Sequence, residues 1–165
     1  MNPLYKIVER ESLSDDDRNT FAELLKKQGK VEGDLSLKAD RCKEICIAYI
    51  DNIPVAIGGI KKKTKSDFGE KKANILIYEK DFDWELGYIY TDENYSGKGI
   101  SSSIVKQLLE RNENENLMAS TEVEANPFMV KILEKNGFIQ KGKTWKSVIH
   151  GKNLGLFLRN KTIIK

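Results

Sequence analysis

Two glycines, a run of small hydroxyl residues and two glutamates hold most of the chemistry this sequence offers. Tyr95-Ser96-Gly97-Lys98-Gly99 puts its glycines just ahead of Ile100, Ile104, Val105, Leu108 and Leu109, whose spacing predicts a helix. A helix that begins this way leaves its first backbone N–H groups without internal acceptors. Together with the positive end of the helix dipole they make a seat for a phosphate-bearing ligand. Glycine matters there because a side chain would hold the ligand off the backbone. Glu85 and Glu122 lie in extended stretches on either side of that turn, and a carboxylate is a general-base type of group. His150 is the only histidine and reads as a late loop residue.

The glycine pattern alone does not choose among phosphate binders. Gly97-Lys98-Gly99 is not a P-loop, which needs Gly-Lys-Ser/Thr after a longer glycine-rich run. Gly97-x-Gly99-x-x-Ser102 lacks the third glycine of a dinucleotide fingerprint, and no convincing βαβ unit precedes it.

The surroundings are more specific. Trp84 to Thr91 is rich in aromatic and β-branched residues and predicts a strand, Asp92-Glu93-Asn94 a turn, and the stretch to Arg111 a helix. ELGYIYTDENYSGKGIS resembles the motif of the GCN5-related N-acetyltransferases, the GNAT fold. Asn126 to Leu133-Glu134-Lys135-Asn136-Gly137-Phe138 is similar to that family's second motif, Asn…Leu-Tyr-Glu-Lys-x-Gly-Phe, at the same spacing. The resemblance implies an α/β fold. Its centre would be a mixed, mostly antiparallel twisted sheet of six to seven strands, flanked by about four helices. It implies an acetyl-CoA-dependent N-acetyltransferase that moves an acetyl group directly to a primary amine, with acetyl-CoA as cosubstrate.

By the same resemblance, Ser96 and the amides of Gly97, Lys98, Gly99, Ile100, Ser101 and Ser102 hold the pyrophosphate. The backbone of Ile89, Tyr90 and Thr91 pairs with the pantetheine arm like an added strand, and an amide nearby polarises the thioester carbonyl. Asn126 contacts the cofactor and also caps its helix. The chain departs from the family with Ser96 for Gln/Arg and Ser101 for Gly/Ala. It also has Leu133 where many relatives carry a Tyr that protonates the thiolate, and Thr121 where some carry a Glu base. The base is expected to be Glu85, at the head of the fourth strand, acting directly or through water, with Glu122 second. The missing Tyr and Glu also keep open a GNAT-fold module that binds acyl-CoA as a sensor or partner without turnover.

Composition bounds the rest. At 165 residues and 39% hydrophobic content the chain is expected to form a single domain, residues 1–165, with an ordinary globular core. The net charge of +3 is a mild basic bias that would attract an anionic cofactor and does not by itself argue for nucleic acid. The lysines of 61–65 motivate a nucleic-acid reading, but no recognisable module or aromatic-interleaved basic stripe supports it. No apolar run of membrane length and no secretion signal is seen, so a cytoplasmic protein without a membrane partner is expected. Cys42 and Cys46 have neither redox nor zinc spacing and are expected to be reduced, semi-buried and metal-free. The acceptor amine is not legible, and a homodimer is left open.

Other elements are expected in order. Residues 4–9 form a strand, and Ser14 caps an acidic-start helix that stops at Gly29. Asp34 to Asp40 is a short second helix. Glu44 to Asp51 and Ile53 to Lys61 form a hairpin, with Gly58-Gly59 marking a bulge or a close backbone approach. Lys61 to Gly69 is a solvated surface loop or a cationic lip, and 73–78 a helical or irregular insertion. Leu117 to Val123 is the fifth strand, and Asn126-Pro127 starts the last helix. Phe138 to Lys141, Thr144 to Ile149 and Leu154 to Arg159 are closing strands.

Overall fold

The computed structural model describes residues 2–162. Its strands are β1 (Leu4–Glu9), β2 (Cys42–Ile50), β3 (Ile53–Lys62), β4 (Trp84–Thr91), β5 (Leu117–Glu122), β6 (Ile139–Lys146) and β7 (Asn153–Arg159). Its α-helices are α1 (Asp15–Gln28), α2 (Ile100–Glu110) and α3 (Pro127–Lys135). The strands form one seven-stranded sheet in the order β1-β2-β3-β4-β5-β7-β6. β1–β2, β2–β3, β5–β7 and β6–β7 pair antiparallel, and β4–β5 pair parallel. This is the expected mixed, mostly antiparallel α/β architecture. The chain packs as two compact units, one of residues up to Lys62 with Leu86–Arg111, the other of Lys63–Glu85 with residues from Asn112 onward.

In the first unit, α1 opens on a capping box. Ser14 Oγ accepts the Asp17 N–H at 3.0 Å, and the Asp17 carboxylate accepts the Ser14 N–H at 3.1 Å. Gly29 ends α1 in the left-handed region at φ 72°. The buried face of α1, Phe21, Leu24 and Leu25, packs with Ile45, Ile47, Ile57 and Tyr88. The hairpin turn Asp51-Asn52 has both φ angles positive, 51° and 67°, a primed-turn geometry that Asp and Asn tolerate. Gly58 is a close approach: a Cβ there would lie 2.6 Å from Ile104 Cγ2 and 2.7 Å from Ile89 Cδ1. The short helix expected at Asp34 to Asp40 is instead two 3₁₀ turns, Leu35–Leu37 and Ala39–Arg41. Asp34 Oδ1 captures the Ser36 N–H and hydroxyl, a local bond that competes with helix continuation. Cys42 and Cys46 are in no disulfide among the described residues and are fully rather than half buried. Burial, with the Glu44 charge, pushes the Cys46 thiol up to about 12.

The second unit corrects two expectations. Lys61 to Gly69 is only partly a solvated loop: β3 runs on to Lys62, and Asp67 and Phe68 are buried, while Lys62, Lys65 and Ser66 are exposed. Phe68, Ala73 and Phe82 pack with Met118, Trp145, Leu156 and Leu158, so the segment's own apolar residues pull it into a core. Lys63 Nζ pairs with Glu79 Oε1 at 2.7 Å instead of reaching solvent as a lip. The insertion does contain an irregular helix, a 3₁₀ stretch at Leu76–Asp81. Thr144 to Ile149 is not a strand of its own. β6 is one strand with an irregularity between Lys141 and Trp145, and Ser147–Lys152 is a turn closed by Ser147 N–H on Lys152 O at 2.9 Å. Gly142, at φ 77° and backed against Ala73 O, carries that irregularity.

Candidate functional site

In the first unit, β4 ends at Thr91 and the chain turns through Glu93–Tyr95 to α2. Asp92 fixes the turn. Its N–H bonds Val55 O at 2.8 Å, its Oδ1 accepts the Asn94 N–H at 3.0 Å, and its Oδ2 takes Lys27 Nζ at 3.3 Å. The Asn94 N–H, aided by Lys27, holds its carboxyl below the usual aspartate range against the opposing effect of burial. Gly97 and Gly99 both lie at positive φ, 77° and 76°, a region other residues enter only with strain. Gly99 caps α2 without a side chain, and Ser103 is bonded to Gly99 O at 3.0 Å. The N–H groups of Ile100, Ser101 and Ser102 come before that first intrahelical bond. A Cβ built on Gly97 or Gly99 meets nothing within 4 Å, so the space beside both glycines is open.

Both serines that depart from the family motif spend their hydroxyls on the protein. Ser96 Oγ donates to Glu93 O at 2.9 Å, and Ser101 Oγ lies 2.5 Å from Thr91 Oγ1. What these positions leave for a ligand is backbone. Lys98 is exposed between the glycines. Ile89 O accepts Gln28 Nε2–H at 3.0 Å. Tyr88, just before it, sits at φ 58° inside β4. A non-glycine residue there costs about 1–2 kcal/mol. Edge-on contact with Phe21 at 5.7 Å and Lys61 Nζ at 5.1 Å from the ring centre keep it in place. Such an irregularity re-aims the residues that follow, here Ile89, Tyr90 and Thr91. Neither Gln28, the last residue of α1, nor a tyrosine in a strand carries any sequence signal of these roles.

The second unit holds both candidate bases and Asn126. Glu85 is buried, and its Oε1 accepts the Thr64 N–H and hydroxyl, each at 2.8 Å. Thr64, too, is invisible to a reading by motif. Glu85 pairs with Met118 across the parallel β4–β5 ladder, on the strand that ends at Glu122. Glu122 is buried, with His150 Nε2 at 3.5 Å from Oε1 and Lys152 Nζ at 4.0 Å from Oε2. His150 Nδ1 accepts the Lys152 N–H at 3.1 Å. Asn126 is the N-cap of α3 and accepts the Met129 N–H at 3.2 Å, with Pro127 at the first helical position. Leu133 and Thr121 are both buried. Among the described residues no group of three or more His, Cys, Asp or Glu could hold a metal ion. No helix among them is long and apolar enough to cross a membrane.

The family model described as acetyltransferase (GNAT) family matches residues 3–138. The chain belongs to this family. Solved GNAT-like structures superpose on nearly the whole chain. ElaA from Escherichia coli is 12% identical, with a TM-score of 0.71, covering 96% of this chain and 100% of that one. The NatC complex bound to Gag peptide and CoA is 16% identical, with a TM-score of 0.73 and coverage of 98% and 100%. An acyl-CoA N-acyltransferase from Pseudomonas aeruginosa is 9% identical, with a TM-score of 0.69 and coverage of 96% and 99%. At such identities the likeness is one of fold. No curated protein matches by sequence. The GNAT fold thus extends past the sequence match, through β6 and β7.

Proposed function

We propose that this GNAT protein is an acetyl-CoA-dependent N-acetyltransferase that passes the acetyl group directly to a primary amine. The observation that carries the reading is the α2 start. Gly97 and Gly99 hold positive φ with open space beside them, and the helix has no side-chain cap. Such a start binds phosphate through several N–H groups and the helix dipole at once. NatC was solved with CoA and a peptide, which supports a ligand of this kind for the fold.

Three tasks then fall to named groups. The amides from Gly97 to Ser102, beside Ser96, hold the pyrophosphate of acetyl-CoA. The backbone of Ile89, Tyr90 and Thr91 lines up the pantetheine arm, with Asn126 a further contact. A β4 amide there polarises the thioester carbonyl as negative charge builds on its oxygen. Glu85 takes the proton of the attacking amine, directly or through water, and Glu122 is the alternative. No acid is assigned to the thiolate, since a thiol with a pKa of about 8.5 is an adequate leaving group. Leu133 and Thr121 favour a second reading, an acyl-CoA-binding module without turnover.

Hydrogen exchange with and without acetyl-CoA tests the seat: the amides of residues 97–102 should gain protection, and the melting temperature should rise. No protection at saturating acetyl-CoA would remove the proposal. An amine screen with free-thiol detection separates the two readings, because sustained CoA release with any acceptor rules out the silent module.

A further inference from the structure

The last turn of α1 ends in Lys26, Lys27 and Gln28, before Gly29 closes the helix with its N–H on Leu25 O at 3.1 Å. Two lysines suit the negative end of the helix dipole, and Lys26 is exposed as a helix-end lysine usually is. Lys27 and Gln28 do something further: both reach across to β4 and its exit. Gln28 Nε2–H donates to Ile89 O at 3.0 Å, and Lys27 Nζ meets Asp92 Oδ2 at 3.3 Å. The two contacts bracket the stretch from Ile89 to Asp92, about 10 Å of extended chain at about 3.3 Å per residue.

That stretch follows a break. Tyr88, at φ 58°, interrupts the extended run, so the direction of the next peptide is not set by strand continuity. The Gln28 bond sets it, because Ile89 C=O is one edge of a planar unit whose other edge is the Tyr90 N–H. At the far end Asp92 is tied by its N–H to Val55 O, by Oδ1 to the Asn94 N–H and by Oδ2 to Lys27. Adjacent side chains of α1 therefore hold both ends of the main chain that the acetyl-CoA reading gives to the pantetheine arm.

We infer that Gln28 and Lys27 are positioning residues for the pantetheine arm, acting through Ile89 and Asp92 on the angle and spacing of the backbone it lies against. The inference deepens the acetyl-CoA reading and rests on it. Gln28 carries the larger share. Lys27 is 57% exposed, where an ion pair is screened, and Asp92 keeps two other bonds without it.

The test measures, by calorimetry on the full chain, the affinities of acetyl-CoA and of 3′-phospho-ADP, which keeps the pyrophosphate and lacks the pantetheine arm. Gln28→Glu matches glutamine in shape, but its carboxylate has no N–H to donate at neutral pH. Gln28→Ala and Gln28→Glu should each weaken acetyl-CoA about tenfold and 3′-phospho-ADP less than about twofold. Lys27→Met should weaken acetyl-CoA by about two- to threefold, and Lys27→Arg should restore it. Lys26→Met should leave both ligands unchanged. A variant that merely loosened the fold would lower both affinities together, so the ratio of the two is the quantity that positioning moves. An unchanged ratio in both Gln28 variants would overturn the inference. So would tighter acetyl-CoA binding in them, since Gln28 would then be holding a carbonyl that the arm needs. Failure of the acetyl-CoA reading looks different: the wild-type protein would bind neither ligand, and the inference would fall with that reading. Equal wild-type affinity for the two ligands would leave the phosphate seat standing and remove the inference alone.

Discussion

Ser101 Oγ stands 2.5 Å from Thr91 Oγ1, so a hydroxyl pair ties the last residue of β4 to the first turn of α2. The hydroxyl of Ser101 is thus a structural group, and only its N–H is offered to a ligand. Ser101→Ala should cost about 1 kcal/mol of stability, the usual worth of one such bond. Acetyl-CoA affinity should change by less than about threefold, as it is carried by the amide. Denaturant titration and calorimetry check the two halves. A loss of affinity well beyond that would mean the hydroxyl itself touches the ligand.

Gly99 and Gly29 make a matched pair. Both sit at positive φ, 76° and 72°, and neither has an atom within 4 Å of where a Cβ would stand. Gly99→Val and Gly29→Val should each lose about 1–2 kcal/mol from left-handed strain. Only the Gly99 variant should lose the rise in melting temperature caused by acetyl-CoA. If both variants keep it, the phosphates are bound elsewhere.

Asp17 couples the α1 cap to β1. Lys6 Nζ donates to Asp17 Oδ1 at 2.7 Å. Burial raises the Asp17 carboxyl, but the Lys6 bond and the Ser14 N–H and hydroxyl outweigh it and hold the group below its ordinary value. A folded value below the unfolded one contributes stability at neutral pH that disappears as pH falls below about 3.9 and through the folded value. From the other partner, the Asp17 bond raises Lys6, so that contribution lasts until pH climbs through the folded lysine value. Asp17→Asn should therefore lower stability at pH 7 by about 1–3 kcal/mol and flatten its decline in acid. Melting curves of the two proteins from neutral to acid pH should converge. Parallel curves would remove Asp17 as a source of acid sensitivity.

Glu85 and Glu122 are separated by kinetics. Glu85→Gln should lower kcat by about 10²-fold or more, the scale of a lost general base, with acetyl-CoA binding intact. Glu122→Gln should spare kcat if Glu85 is the base. The opposite ranking moves the role to Glu122, and a negligible effect of both assigns the proton to water.

Much of the fold was legible because local rules and side-chain pattern agreed. Ser14 with its acidic first turn, Gly29, the Asp51-Asn52 turn, and Asn126-Pro127 each mark an element end where the structure has one. The segments that misled are those whose fate depends on distant packing. The 61–69 segment looks wholly solvated until Phe68 joins Met118 and Trp145 in one core, and the closing strands look separate until Gly142 backs onto Ala73.

By itself the sequence determined the family and the helix start that offers its amides, because glycine spacing and helical periodicity are local and need no partner. The tertiary structure decided how those groups are used. It placed Tyr88 in a left-handed kink between Phe21 and Lys61, spent the Ser96 and Ser101 hydroxyls on Glu93 and Thr91, and bound Glu85 to Thr64. Each of these joins residues through space, and a hydrogen bond or ring contact between separate segments exists only once the chain has folded to bring them within reach.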